Sequence, residues 1–277
     1  MFATINKSSL FYQDEGAHNS QPVIFIHGFP FSHEMWKNQL KLVGKNFHAI
    51  AYDVRGHGKT DAGDGQYTIE SHVDDLLDLI QHLKIENPVL VGLSMGGYIA
   101  LRAAERKPEI IKGLVLCDTK SEADSNEAKI KRHISMKEIK TNGVTDAFTE
   151  GYLKNIFTPK SLETKSDVVQ MIRHIIKTTS PMGMAANFLA LAARTDTTDS
   201  LSKIKTPTLI LVGENDNVTP VANSKSMHEK IKGSDLVVIP DAAHMTNLEN
   251  PTVFNDKLLQ FLEKITPTSS EGLTKEY

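Results

Sequence analysis

The sequence predicts an α/β fold with a mostly parallel sheet covered by helices on both faces. Three observations carry this. Short apolar runs recur along the chain, they are rich in Val, Ile and Leu without polar alternation, and helical patterns separate them. Val23 to Ile26, Phe47 to Tyr52, Val89 to Val91, Leu114 to Leu116, Thr208 to Val212 and Leu236 to Ile239 read as buried strands. Phe2 to Ile5 and Leu10 to Tyr12 read as two short antiparallel strands at the sheet edge. Between the second and third buried runs, Ile69, Val73, Leu76, Leu77, Ile80 and Leu83 form one stripe of an amphipathic helix.

The alternation stops after Asp118 and resumes near Thr206, which predicts a helical cap at 121–199 inserted into a core of 1–120 and 200–264. Helical patterns cover Ala128 to Lys140, Val144 to Ile156, Val168 to Lys177 and Met182 to Arg194. Pro159 and Pro181 mark breaks between them, because proline is tolerated at a helix start and not in its interior. From 265 to 277 the chain is polar, carries Pro267 and Gly272, and has no apolar period, so a mobile tail is expected there.

Composition excludes several classes of function. The chain has 277 residues, 40% hydrophobic and 23% charged, enough for a sizeable core. With 31 Lys plus Arg against 34 Asp plus Glu, the net charge is -3, and no block of like charge offers a nucleic-acid tract or a membrane patch. The one cysteine, Cys117, cannot form an intrachain disulfide and suits a reducing cytoplasm. No signal segment opens the chain, and no window reaches the length of a membrane span.

The most informative stretch is Pro88-Val89-Leu90-Val91-Gly92-Leu93-Ser94-Met95-Gly96-Gly97-Tyr98, which contains Gly-x-Ser-x-Gly between an apolar strand and a helix. A sharp strand-to-helix turn would hold Ser94 strained with its hydroxyl above the sheet, and it needs small residues two positions away on either side. Gly92 and Gly96 meet that need. The competing reading is a tight turn in which Ser94 merely caps the helix.

A serine hydroxyl is a poor nucleophile at neutral pH, so it requires a base and an acid that orients the base. Gly213-Glu214-Asn215-Asp216 follows an apolar strand, at the edge where active groups gather in open α/β sheets. Asp216 is the preferred acid, with Glu214 and Asp118 as alternatives. In the order Ser, acid, His, only His228 and His244 follow Asp216. His228 falls in the helical run Ser224 to Lys232, so His244, in a loop of small residues, is the expected base. An oxyanion needs two preorganised N-H donors, for which Met95 and Phe29 are the candidates. Pro30 cannot donate. His27 is expected to brace its loop rather than to act in catalysis.

Taken in order, His27-Gly28-Phe29-Pro30, Gly92-Leu93-Ser94-Met95-Gly96-Gly97, Gly213-Glu214-Asn215-Asp216 and Ala242-Ala243-His244 resemble the α/β-hydrolase superfamily over Leu10 to Leu262. The resemblance implies a mostly parallel eight-stranded sheet with an inserted helical cap. Asp53-Val54-Arg55-Gly56-His57-Gly58-Lys59 is similar to that family's loop after the fourth strand, where Asp53 and Arg55 would brace the turn. Within the superfamily the chain looks most like the capped esterase and 3-oxoadipate enol-lactonase branch, including Asp118 to Asp124 leading into the cap. Ser94 stands where haloalkane dehalogenases and epoxide hydrolases carry an aspartate, and Tyr52-Asp53-Val54-Arg55-Gly56 departs from the Trp-Asp-Gln-Arg-Gly loop of proline iminopeptidases. Pro30 resembles cofactor-free haloperoxidases and perhydrolases.

The function expected is therefore a serine hydrolase of small carboxylic esters or lactones. Perhydrolysis, carbon-carbon bond hydrolysis and a small-molecule receptor role are the alternatives. Met182, Met184, Phe188 and Leu189 would give the site an apolar wall, or else are plain cap core. No metal or organic cofactor is expected, since no zinc-ligand cluster is visible in the sequence. A monomer or homodimer without nucleic-acid or membrane partners completes the expectation.

Overall fold

A computed structural model describes residues 1–266 of the chain. Eight strands form one sheet: β1 (Phe2–Ile5), β2 (Ser8–Glu15), β3 (Pro22–Ile26), β4 (His48–Tyr52), β5 (Val89–Leu93), β6 (Gly113–Cys117), β7 (Thr208–Gly213) and β8 (Asp235–Ile239). Their order is β1-β2-β4-β3-β5-β6-β7-β8. The pairs β1 with β2 and β2 with β4 are antiparallel, and all the others are parallel.

Every residue of β4, β5, β6 and β7 is buried, as continuous apolar strands covered on both faces must be. β2 is longer than its apolar residues predict. Its polar half, Gln13 to Glu15, is held by backbone pairing to Ala51, Ile50 and Ala49 of β4, and side-chain pattern does not register that pairing.

Eleven α-helices lie among the described residues: α1 (Lys37–Val43), α2 (Ile69–His82), α3 (Met95–Arg106), α4 (Asn126–Asn142), α5 (Asp146–Ile156), α6 (Pro159–Thr164), α7 (Ser166–Thr178), α8 (Pro181–Ala192), α9 (Val221–Lys230), α10 (Thr246–Glu249) and α11 (Pro251–Ile265). Phe25 of β3 packs against Trp36 at a ring separation of 5.2 Å, and Trp36 in turn against Phe254 at 6.1 Å. Strand alternation turns its neighbours Ile24 and Ile26 to the other face.

Helices α4 to α8 all fall between β6 and β7. Pro159 and Pro181 break the helical pieces as their sequence predicts, each at the start of a helix, and the short helix α6 is an addition to the predicted pieces. The Thr158 side chain caps that helix by accepting from the Ser161 N-H, and proline at the first position leaves no intrahelical donor wanting. Helix α11 includes Ile265, the first residue of the expected tail, and that tail from 267 lies outside the described residues. No helix among the described residues is long and apolar enough to cross a membrane.

Candidate active site

Ser94 follows β5 and precedes α3 with φ 53° and ψ −112°, left-handed backbone that costs a non-glycine residue about 1–3 kcal/mol. The turn closes because its flanks lack side chains. A Cβ on Gly96 would sit 2.1 Å from the Ile26 carbonyl oxygen, and one on Gly92 would sit 2.3 Å from that of Gly96. Ser94 N-H donates to the Cys117 carbonyl at 2.9 Å, and the Thr119 hydroxyl donates to the Ser94 carbonyl at 2.8 Å. The Ser94 residue is half-buried, and no hydrogen bond among the described residues uses its Oγ.

Asp216 and His244 come from the loops after β7 and β8, at the same carboxyl edge of the parallel strands as Ser94. His244 Nδ1 lies 2.8 Å from Asp216 Oδ2. Asp216 Oδ1 accepts the N-H groups of Val218 at 2.8 Å and Thr219 at 3.0 Å, and the Thr219 hydroxyl donates to Oδ2 at 2.7 Å. A carboxylate can only accept, so Nδ1 carries the proton and the Nε2 lone pair is free. No hydrogen bond joins Ser94 to His244 among the described residues. Such contacts commonly tighten only when substrate binds.

Electrostatics sharpen the pair. Burial pushes the Asp216 carboxyl upward, but the His244 charge and hydrogen bond, with the Thr219 donors, outweigh burial and hold it below the ordinary carboxylate value. Burial likewise depresses His244, and the Asp216 charge and hydrogen bond, aided by Asp118 and Glu249, leave its pKa above the ordinary imidazole value.

Neither alternative acid bonds to His244. Glu214 is exposed. Asp118 is fully buried, accepts the Gly213 N-H at 2.9 Å and the Thr246 hydroxyl at 2.5 Å, and is pushed well above the ordinary carboxyl value by burial and then by the Asp216 charge. His228 sits on α9 with Nδ1 2.9 Å from the Ser234 hydroxyl.

The loop after β3 lies against the serine turn: a Cβ on Gly28 would be 3.2 Å from Ser94 Cβ. The N-H groups of Phe29 and Met95 make no hydrogen bond within the described chain, so both remain available as donors. His27 is fully buried, with Nδ1 2.8 Å from the Gly28 carbonyl and Nε2 accepting the Val54 N-H at 2.9 Å. Burial pushes its pKa down to about 4, so it is a neutral brace. Asp53 accepts both the His33 N-H and its ring at 2.7 and 2.8 Å, and Arg55 forks onto Asp75 at 2.9 and 2.5 Å.

The helical insert contributes contacts that sequence reasoning missed. The Tyr152 hydroxyl donates to the Phe29 carbonyl at 2.7 Å, the Thr179 hydroxyl to that of Pro30 at 3.1 Å, and the His244 N-H to that of Ile156 at 3.0 Å. Asn187, buried on α8, bonds His72 at 2.8 Å and the Arg55 carbonyl at 3.1 Å. Only Thr219 carried a sequence signal, as a hydroxyl three residues after an aspartate in a turn. Met184 and Phe188 are buried, with the Phe188 ring 4.6 Å from that of Phe29. Met182 and Leu189 are corrections to the expected apolar wall: they are 58% and 50% exposed, because they lie on the outer side of α8, with Met182 turned toward the Gly65 loop.

This geometry can be set beside known proteins. The sequence pattern of the α/β-hydrolase fold matches residues 21–251. The chain belongs to the α/β-hydrolase family. This α/β hydrolase is similar to 3-oxoadipate enol-lactonase 2 of Acinetobacter baylyi, at 29% identity over 252 residues, 91% of this chain and 92% of that protein. Among solved structures it is similar to a thermophilic esterase from Thermogutta terrifontis, with TM-score 0.91 and 34% identity over 96% of this chain and 98% of that one. The enol-lactonase from Burkholderia xenovorans superposes with TM-score 0.89 at 31% identity, covering 95% of this chain and 99% of the other. The α/β hydrolase therefore has esterase and enol-lactonase relatives at modest identity.

Proposed function

We propose that this α/β hydrolase is a cytoplasmic serine hydrolase that cleaves small carboxylic esters or lactones through an acyl-enzyme. The observation that carries the reading is the Asp216–His244 pair, with its free Nε2, at the sheet edge where the strained Ser94 turn stands. The esterase and enol-lactonase relatives support the substrate class.

Ser94 Oγ attacks the acyl carbonyl while His244 Nε2 takes its proton. The Phe29 and Met95 N-H groups hold the oxyanion, and the imidazolium returns the proton to the leaving oxygen as the C–O bond breaks. In the second half, His244 deprotonates a water that attacks the acyl carbon, and the proton returns to Ser94. For a lactone the leaving oxygen stays tethered to the acyl chain throughout, so hydrolysis of the acyl-enzyme releases a single hydroxy or keto acid. The insert acts as a cap, with Phe188 and Met184 facing the acyl group.

Hydrolysis of a p-nitrophenyl ester series from acetate to octanoate, alongside an enol-lactone, tests the reading against Ser94→Ala. Serine-dependent turnover with a chain-length optimum is expected. Faster cleavage of a vinylogous diketone than of any ester would instead mark a carbon-carbon hydrolase, and negligible turnover with ligand-dependent protection of the cap would mark a receptor.

Tyr152 offers a separate check, because its hydroxyl pins the carbonyl of the oxyanion residue Phe29. Tyr152→Phe should lower kcat for the ester by about tenfold, the worth of one hydrogen bond. Unchanged kcat would show that the loop is held without it.

A further inference from the structure

At the end of the sheet remote from Ser94, three side chains far apart in sequence meet. Asp14 lies in the polar half of β2, His18 in the loop that follows it, and His48 opens β4. Asp14 Oδ2 lies 3.4 Å from His18 Nε2 and 3.3 Å from His48 Nε2, and one ligand atom from each residue falls within 4.8 Å of the other two. The imidazole rings lie 4.4 Å apart at 35°. We propose that Asp14, His18 and His48 form a binding site for a borderline divalent transition-metal ion of the Zn²⁺ class.

Geometry carries the proposal. A tetrahedral ion about 2.0–2.1 Å from each ligand separates the ligand atoms by about 3.3–3.4 Å. Both measured edges from Asp14 Oδ2 match that separation. Two imidazoles and one carboxylate favour Zn²⁺, Co²⁺ or Ni²⁺ over Mg²⁺ or Ca²⁺, which take oxygen ligands. His18 is 77% exposed against 14% for Asp14 and 7% for His48, so the ion enters from solvent and keeps a water at its fourth position.

The backbone prepares the site. Gly16 has φ 92°, and a Cβ there would lie 2.2 Å from the Phe47 carbonyl oxygen, so the loop returns tightly over the residues that precede His48. The His48 N-H donates to the Gln21 carbonyl at 3.1 Å, which ties the far end of the loop to the same place. Asp14 pairs with Ile50 in the β2–β4 ladder. Three ligands are thus set by one loop and two paired strands, and a bound ion clamps that loop to β4.

The site is independent of the hydrolytic centre. β3 pairs with His48 through Pro22 at one end and with Gly92 through Ile26 at the other. Four residue steps along the strand, about 13 Å, separate those ends.

The test uses the full chain without an affinity tag, stripped with a chelator and titrated with ZnCl₂ by calorimetry. One Zn²⁺ per chain is expected, unaffected by excess Mg²⁺, with a rise in melting temperature because the ion binds only the folded loop. His18→Ala should weaken binding by about 10–100-fold or more and abolish the melting shift. Because His18 is exposed, the same variant should keep the metal-free melting temperature and the ester turnover of the parent. Equal Zn²⁺ affinity in parent and variant, displacement by Mg²⁺, or no binding by the parent would each overturn the proposal.

Discussion

Replacing Ser94 by alanine is expected to lower kcat on the best ester by about 10⁶-fold while the protein stays folded, the scale on which a serine nucleophile is missed. No hydrogen bond within the described chain uses Ser94 Oγ, so truncation breaks no stabilising contact. Alanine also keeps a Cβ and therefore the left-handed strain at φ 53°. Stability should stay within about 0.5 kcal/mol of the parent in urea unfolding. Ser94→Gly separates the two roles of the position. It removes the proposed nucleophile as fully as alanine does and also relieves the backbone, so it should be more stable than the parent by about 1 kcal/mol or more. Loss of activity accompanied by unfolding in Ser94→Ala would return Ser94 to a structural role, and retained activity would remove it as nucleophile.

Asp216→Asn should cost about 10⁴-fold in kcat, for a reason visible in its hydrogen bonds. The Val218 and Thr219 N-H groups both donate to Oδ1, so the amide oxygen of asparagine must take that place. Its NH₂ then stands where Oδ2 was and faces His244 Nδ1. The imidazole can answer only by presenting its Nδ1 lone pair and moving its proton to Nε2, where it can no longer accept one from Ser94.

The pH profile gives an independent reading. The base must be neutral to act, so activity falls as pH drops through the His244 pKa, which the Asp216 charge keeps above the ordinary imidazole value despite burial. The acid limb of kcat/KM should therefore lie above that value in the parent and move to lower pH in Asp216→Asn. Asp118→Asn provides the contrast. Asp118 touches Gly213 and Thr246 rather than His244, and its effect on kcat should be far smaller. An equal loss in both variants would divide the orienting role between the two carboxylates.

The core of the fold was legible because buried parallel strands leave a local mark. Val89 to Leu93 or Thr208 to Gly213 cannot be covered on both faces unless nearly every residue is apolar. The Ser94 turn was legible for a similar reason, since the backbone approach at Gly92 and Gly96 excludes every larger residue. Where order is set by backbone pairing or by contact at a distance, no such mark exists. Gln13 to Glu15 are strand because β4 lies beside them, and Met182 and Leu189 are exposed because the insert presents the other side of α8 to the core.

What the sequence determined by itself was the α/β architecture, the serine turn and the short choice of acids and histidines, all properties that steric limits impose on neighbouring residues. Tertiary structure alone decided that Asp216 rather than Asp118 or Glu214 meets His244, that Tyr152 holds the Phe29 carbonyl, and that Asp14, His18 and His48 converge. Those choices depend on positions a few ångströms apart in space and tens of residues apart in chain, and hydrogen bonds and metal ligation are decided at that scale of distance.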